Sequence, residues 1–183
     1  GNGSISVTAL AGSILDGGDT YKNLRSAGLR LEAAVGVGQA SNPLEIAVVI
    51  LAAVSGSGGI TLTEDDALSI GAVGASVAQL NLDQSTSIVT VAPLSDCVTS
   101  ANGGIVLLTL NGTLTLTDGA NTNGLAVAAH GTGVVLLKAG DSLTAGAGSI
   151  DVGASVASDT GAISLRASDD VVMHAAGMVF TGG

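Results

Sequence analysis

The stretch Gly133-Val134-Val135-Leu136-Leu137-Lys138-Ala139-Gly140-Asp141 returns 28 residues later as Gly161-Ala162-Ile163-Ser164-Leu165-Arg166-Ala167-Ser168-Asp169. Apolar stays on apolar, base on base and acid on acid. Carried further, the same shift sets Leu143 on Val171, Ala145 on Met173, Ile150 on Met178 and Val152 on Phe180. One unit earlier, a shift of 29 sets Gly104, Val106, Leu108 and Leu114 on Gly133, Val135, Leu137 and Leu143. Self-similarity at such a period, made of short alternating runs separated by glycine, is the signature of stacked repeats. The fold class it predicts is all-β: a parallel β-helix of roughly 28–29 residues per coil. Each coil has three strands, starting near Val135, Leu143 and Ile150 and again near Ile163, Val171 and Met178.

Composition agrees with a thin, regular core. Of 183 residues 46% are hydrophobic, yet only 1% are aromatic, namely Tyr21 and Phe180. Wide irregular cores use aromatic rings to fill space, whereas stacked Val, Ile, Leu and Ala fill a narrow cross-section. Of the 28 glycines, Gly133, Gly140, Gly148 and Gly161 sit between the apolar runs, where corners need tight backbone. In this register Val106, Val135 and Ile163 form one inward column and Leu108, Leu137 and Leu165 the next. Ile105, Leu107, Val134 and Leu136 are then outward, an aliphatic stripe suited to lateral contact. A register one residue different would exchange the two faces.

Taken in order, residues 4–9 alternate as a half-buried strand, Ser13 to Leu15 begin a second, and Asp19 to Ala27 read as an outward loop. Leu29, Leu31 and Ala33 give a third strand. The continuous apolar run Leu44 to Val54 is compatible with a buried strand pair or a short helix. Ile60 precedes Leu68 by eight residues, the spacing of Ile163 to Val171, which ties the middle of the chain to the repeat. Val77 to Leu82 and Ile88 to Val91 read as strands. The distance from Ile60 to Val106 is no multiple of 28, so residues 76–104 are expected to hold an irregular coil or an insertion, with a loop around Pro93 to Asn102.

The phrases Gly-Asn-Gly-Ser-Ile-Ser-Val-Thr-Ala at 1–9 and Gly-Ala-Ile-Ser-Leu-Arg-Ala-Ser-Asp-Asp-Val at 161–171 resemble repeats of large bacterial exoproteins of the filamentous haemagglutinin type. That resemblance implies a right-handed parallel β-helix and a role as adhesin or fibrous stalk at the cell surface. The family's N-terminal secretion motif is not present in the sequence, and the resemblance brings no catalytic residue with it.

Five Lys and Arg against 15 Asp and Glu give a net charge of −10, which repels phosphate backbones and anionic membrane surfaces. Nucleic acid and membrane insertion are therefore not expected; the longest apolar run, Ile46 to Val54, is about half of what a spanning helix needs. Cys97 is the one cysteine and forms no internal disulfide; it is expected in the core. Neither His130 nor His174 belongs to a catalytic signature, and no phosphate loop, zinc spacing or nucleophile elbow occurs, so the chain is read as a non-enzyme without a cofactor. Aspartates at turns, including Asp65-Asp66 and Asp169-Asp170, are the kind of ligand calcium takes, although the glycine-and-aspartate nonapeptide of calcium-loaded β-rolls is missing. No targeting segment is visible at the start, and the last residues fall inside a repeat, which reads as a piece of a longer array. The expected function is structural: a stiff stalk or a fibre that self-associates end to end or laterally. The alternative is an adhesin module whose loops, Asp19 to Ala27 or Pro93 to Asn102, contact a host or neighbouring-cell glycan or protein.

Overall fold

The computed structural model describes residues 3–142 and 147–182. Among them the chain is all-β, without a helix, and sixteen of its strands join one sheet in which every ladder between named strands is parallel. Parallel neighbours need a long return path between them. Here that path is the chain's own next turn.

The first turn contributes Ser4–Ala9 (β1) and the second Leu24–Ala33 (β2). The third holds Gly36–Val37 (β3) and Leu44–Ser55 (β4). The fourth holds Gly59–Glu64 (β5) and Leu68–Ile70 (β6). It then departs into an antiparallel hairpin, Ala72–Leu80 (β7) and Thr86–Ser95 (β8), and returns as Cys97–Thr99 (β9). The last three turns are Ile105–Thr109, Leu114–Leu116 and Leu125–Ala129 (β10 to β12); Val135–Ala139, Ile150–Val152 and Ser155–Ser158 (β13 to β15); and Ile163–Ala167, Val171–Met173 and Val179–Thr181 (β16 to β18).

Each turn lies in register on its neighbours, so like side chains stack. On the first face Ile14, Val37, Ile60, Ile105, Val135 and Ile163 form one inward column, and Leu44, Leu62, Leu107, Leu137 and Leu165 the next. On the second face Ile5, Leu29, Leu51, Ile70, Leu116, Val152 and Met173 stack. On the third the column is Val7, Leu31, Ala53, Cys97, Val127, Val156 and Val179. Cys97 therefore takes a small-residue place in the core, where it is fully buried. Tyr21 and Phe180 both lie on the surface, so the core contains no aromatic ring.

Several sequence expectations change. The 28-residue shift holds on the first face, where Val135, Leu137, Lys138 and Ala139 pair with Ile163, Leu165, Arg166 and Ala167. It fails on the others: Val171 pairs with Ile150 rather than Leu143, Met173 with Val152 rather than Ala145, and Val179 with Val156. Leu143 and Ala145 lie outside the described residues. The equal spacing was a compensation, since Val135 to Ile150 takes 15 residues where Ile163 to Val171 takes eight, and the following link is shorter in return. The repeat length also varies. Ile14 to Val37 and Val37 to Ile60 are 23 residues each, Ile60 to Ile105 is 45, Ile105 to Val135 is 30 and Val135 to Ile163 is 28. The run 44–54 is neither a helix nor a strand pair but part of one strand that crosses three faces, pairing successively with β5, β6 and β9. β2 begins at Leu24, inside the stretch expected to be loop. The insertion spans 72–95, as a hairpin.

The register of residues 104–110 also differs. Ile105, not Val106, pairs with Val135, so Ile105 and Leu107 face the core at 0% exposure while Val106 and Leu108 are half-buried on the outside. Four consecutive aliphatic residues give alternation nothing to choose by; the corner glycines decide. A Cβ on Gly133 would drive into the carbonyl of Gly103, and one on Gly161 into the carbonyl of Gly133. The stack therefore runs Gly103, Gly133, Gly161, and Gly103 rather than Gly104 sits over Gly133. Buried hydroxyls finish the same corner: Thr99 Oγ1 donates to the Gly103 carbonyl at 2.8 Å, and Ser158 Oγ to the Gly133 carbonyl at 2.7 Å.

Two sets of variants test this packing by denaturant unfolding. Leu107→Ala should cost about 2–5 kcal/mol and Val106→Ala within about 1 kcal/mol; the reverse order would restore the rejected register. Gly133→Ala should cost about 1–3 kcal/mol, whereas Gly17→Ala, with nothing within 4 Å of its added carbon, should leave stability unchanged.

Candidate functional site

The outer surface, the strands at the sheet edges and the hairpin are the places where this chain can meet something else. On the first face the outward columns are Thr61, Val106, Leu136, Ser164 and Thr63, Leu108, Lys138, Arg166. Of the four residues expected to form a lateral stripe, Ile105 and Leu107 are in the core; Leu136 is half-buried and Val134 is 50% exposed. What remains is a small patch of Val106, Leu108 and Leu136, bordered by threonines on one side and by two cations and a serine on the other.

The hairpin is the feature that sequence reading missed in form. Its root is packed: Val73 and Ala75 are buried, and β7 touches β4, β2 and β1 in turn. Beneath it lies Arg30, an outward residue only 7% exposed. Its Nε donates to the Ala92 carbonyl at 3.2 Å, Nη1 reaches the hydroxyls of Ser6 and Thr8 at 3.4 Å each, and Nη2 pairs with Glu32 at 2.6 Å. Arg30 thus stitches β1, β2 and the hairpin together. From Ser76 to Thr90 the hairpin is exposed apart from a half-buried Asn81, with Val77, Leu80, Leu82, Ile88 and Val89 all open to solvent. The signal in the sequence was the 45-residue gap together with two β-rich runs flanking Asn81-Leu82-Asp83-Gln84.

The edges are β1, which pairs only with β2, and β16, β17 and β18, which each pair on one side only. Val171, Val172, Met173, Met178, Val179 and Phe180 are each 38–58% exposed.

No family model, curated protein or solved structure matches this chain. Its chemistry is therefore read from its own side chains. Among the described residues no group of three or more His, Cys, Asp or Glu is placed to hold a metal ion, and no helix is long and apolar enough to cross a membrane. His130 lies 3.4 Å from Asp159 and His174 3.9 Å from Asp151, on exposed turns. Burial, and then the neighbouring Asp96 carboxylate, push the Cys97 thiol far above its ordinary range, so it is not an activated nucleophile.

The turn carboxylates are engaged by backbone and amide donors. Asp16 accepts from Gly18 N at 2.7 Å, Asn42 Nδ2 at 2.7 Å and Asn23 Nδ2 at 2.6 Å, and these bonds hold its pKa down to about 2. The knot ties the long link before β2 to the next turn. Asp96, fully buried after the hairpin, accepts from Gly119 N at 3.0 Å and Asn121 Nδ2 at 2.8 Å, so the return of the hairpin fixes the turn of the layer below.

Glu64 is the one carboxylate in the core columns. It stacks between Ile46 and Thr109 at 1% exposure. Oε2 accepts from Val48 N at 2.8 Å, and Oε1 from Asp65 N at 2.9 Å and Asp66 N at 3.3 Å. The side chain replaces water for three amides at a corner that β4 and the β5–β6 link turn without ladder bonds. A groove of about 730 Å³, lined by Arg25, Ser26, Val48 and Asp66 among others, runs along this corner. Desolvation outweighs the three bonds and raises the Glu64 pKa from 4.5 to about 7. The folded state thus holds the proton more tightly than the unfolded chain. This contribution to stability is full below pH 4.5, falls as pH rises towards 7, and is constant above it, a change of about 3 kcal/mol. Glu64→Gln should flatten that part of the stability profile when unfolding is followed between pH 4.5 and 8; an unchanged slope would mean that Glu64 is ionised across the whole range.

Proposed function

We propose that this chain is a structural segment of a bacterial cell-surface or extracellular protein, a right-handed parallel β-helix that serves as a stiff stalk or as the subunit of a self-associating fibre. The observation that carries the reading is the unbroken in-register ladder. Every layer from β1 to the β16–β18 turn is hydrogen-bonded to the next on at least two faces, with one shared apolar core. Bending such a rod requires many parallel ladders to stretch together, whereas a string of separate domains bends at its linkers. Six layers on the first face and seven on the second and third, at about 4.8 Å each, give a rod of about 30 Å.

The surface chemistry supports the same reading. Several aspartates, among them Asp16, Asp118, Asp159 and Asp169, lie outside the strands where backbone amides hold them, cations are few, and the two histidines and the cysteine stand apart from one another. A net charge of −10 keeps rods dispersed and makes their association depend on salt. The unpaired strands at the edges are where fibre growth by strand addition would take place.

Electron microscopy of the chain over a range of concentration and salt tests the proposal. Filaments with an axial repeat of about 30 Å would support a fibre, and uniform short rods a stalk. Rounded particles without a long axis would overturn both.

A further inference from the structure

We infer that the hairpin of β7 and β8 is a clasp, and that its occupant is a second copy of this chain stacked head to tail against β1. The inference rests on the rod reading above and adds to it the element that would hold the joint.

The hairpin leaves the fourth turn and crosses β4, then β2, then β1, so it runs along the rod axis towards the β1 edge. Crossing three spacings of about 4.8 Å takes about four residues at 3.3 Å each. The buried root of β7 ends at Ala75 and exposure begins at Ser76, so the remainder overhangs the edge. Side chains on a strand alternate, and Val73 and Ala75 are buried, so Val77 faces the same side. Its cross-strand partner is Val89. This pair, 62% and 45% exposed, continues the packed face of the hairpin past the last layer of the rod.

The β17 and β18 edge of a second copy fits beneath the hairpin. The outward column under the hairpin root runs Ser4, Gly28, Ile50, and the same column ends at Val172. A copy placed with its β17 and β18 against β1 brings Val172 under Val77 and Val89. The same placement sets Met173 on the Ile5 column and Val179 on the Val7 column, and pairs β1 with the unpaired sides of β17 and β18. The hairpin brings little charge to the contact: Asp83 is its single charged residue, held at the tip by Ser85 through N at 3.0 Å and Oγ at 2.6 Å, and on the incoming copy Asp151, next to Val172 in the column, has His174 at 3.9 Å.

Analytical ultracentrifugation of the full chain, wild type and the double variant Val77→Asp/Val89→Asp, tests the clasp. The substituted positions are exposed, and circular dichroism checks that the fold is kept. The wild type should self-associate, more strongly as salt rises, and the double variant should associate at least tenfold more weakly. In a second experiment, chains carrying Val77→Cys and chains carrying Val172→Cys are mixed under oxidising conditions. They should yield a disulfide-linked heterodimer that the mixture of Val77→Cys with Ser164→Cys does not. Association unaffected by the acidic pair, with no Val77→Cys to Val172→Cys product, would overturn the clasp and leave the rod reading standing. A wild type that stays monomeric at every concentration would also overturn it; the rod reading fails only if microscopy shows no rod.

Discussion

Everything in this fold depends on one constraint: each turn of the chain must lie in register on the turn before it. Parallel ladders pair every layer with its neighbours, and register brings like side chains into columns, so the core is a set of aliphatic stacks rather than a globular interior. Val135 has Ile105 on one side and Ile163 on the other, and Leu137 has Leu107 and Leu165. Glycine sets the phase of the stacks. At the corner of Gly103, Gly133 and Gly161 the backbones approach so closely that no Cβ fits, and that contact, not hydrophobicity, fixes which of four consecutive aliphatic residues point inward.

The same constraint explains which features were legible in the sequence. Fold class followed from the repeat and from the near absence of aromatics, because a column of identical positions leaves a period and a thin core leaves a composition. Pairing on the first face between β13 and β16 was readable because the runs 135–139 and 163–167 carry the same alternation after the same glycine. Pairing on the second and third faces was not. Links between strands vary freely in length as long as the corners meet, and the long link after β13 together with the short one before β15 imitated a uniform shift of 28 residues. At 105–108, Ile-Val-Leu-Leu satisfies either register, so the expected lateral residues were half inverted: Ile105 and Leu107 belong to the core, and Val134 and Leu136 reach the surface.

Departures from regularity are all tied back to the ladder by polar groups. Arg30 anchors the hairpin to the outer face, Asp96 fixes the turn that follows it, Asp16 knots the link before β2, and Glu64 serves three amides where a corner has no ladder. None of these roles is written in a motif. Each follows from which backbone amides or carbonyls a bent chain leaves unpaired, which is a property of the fold and not of the local sequence. Of the acidic turns that suggested calcium, Asp169 accepts from Gly148 N at 2.8 Å and Asp65 pairs with Lys22 at 2.9 Å. Beyond these anchors the chain presents unpaired edge strands and one exposed hairpin.

The most direct test of the account is the register itself, read in solution by nuclear Overhauser contacts between backbone protons of adjacent layers. The account predicts contacts that join Ile105 to Val135 and Val135 to Ile163 on one face, and Val152 to Met173 on the next. Contacts that join Val106 to Val135 or Val152 to Phe180 would show that the sequence repeat, and not the glycine corner, sets the stack.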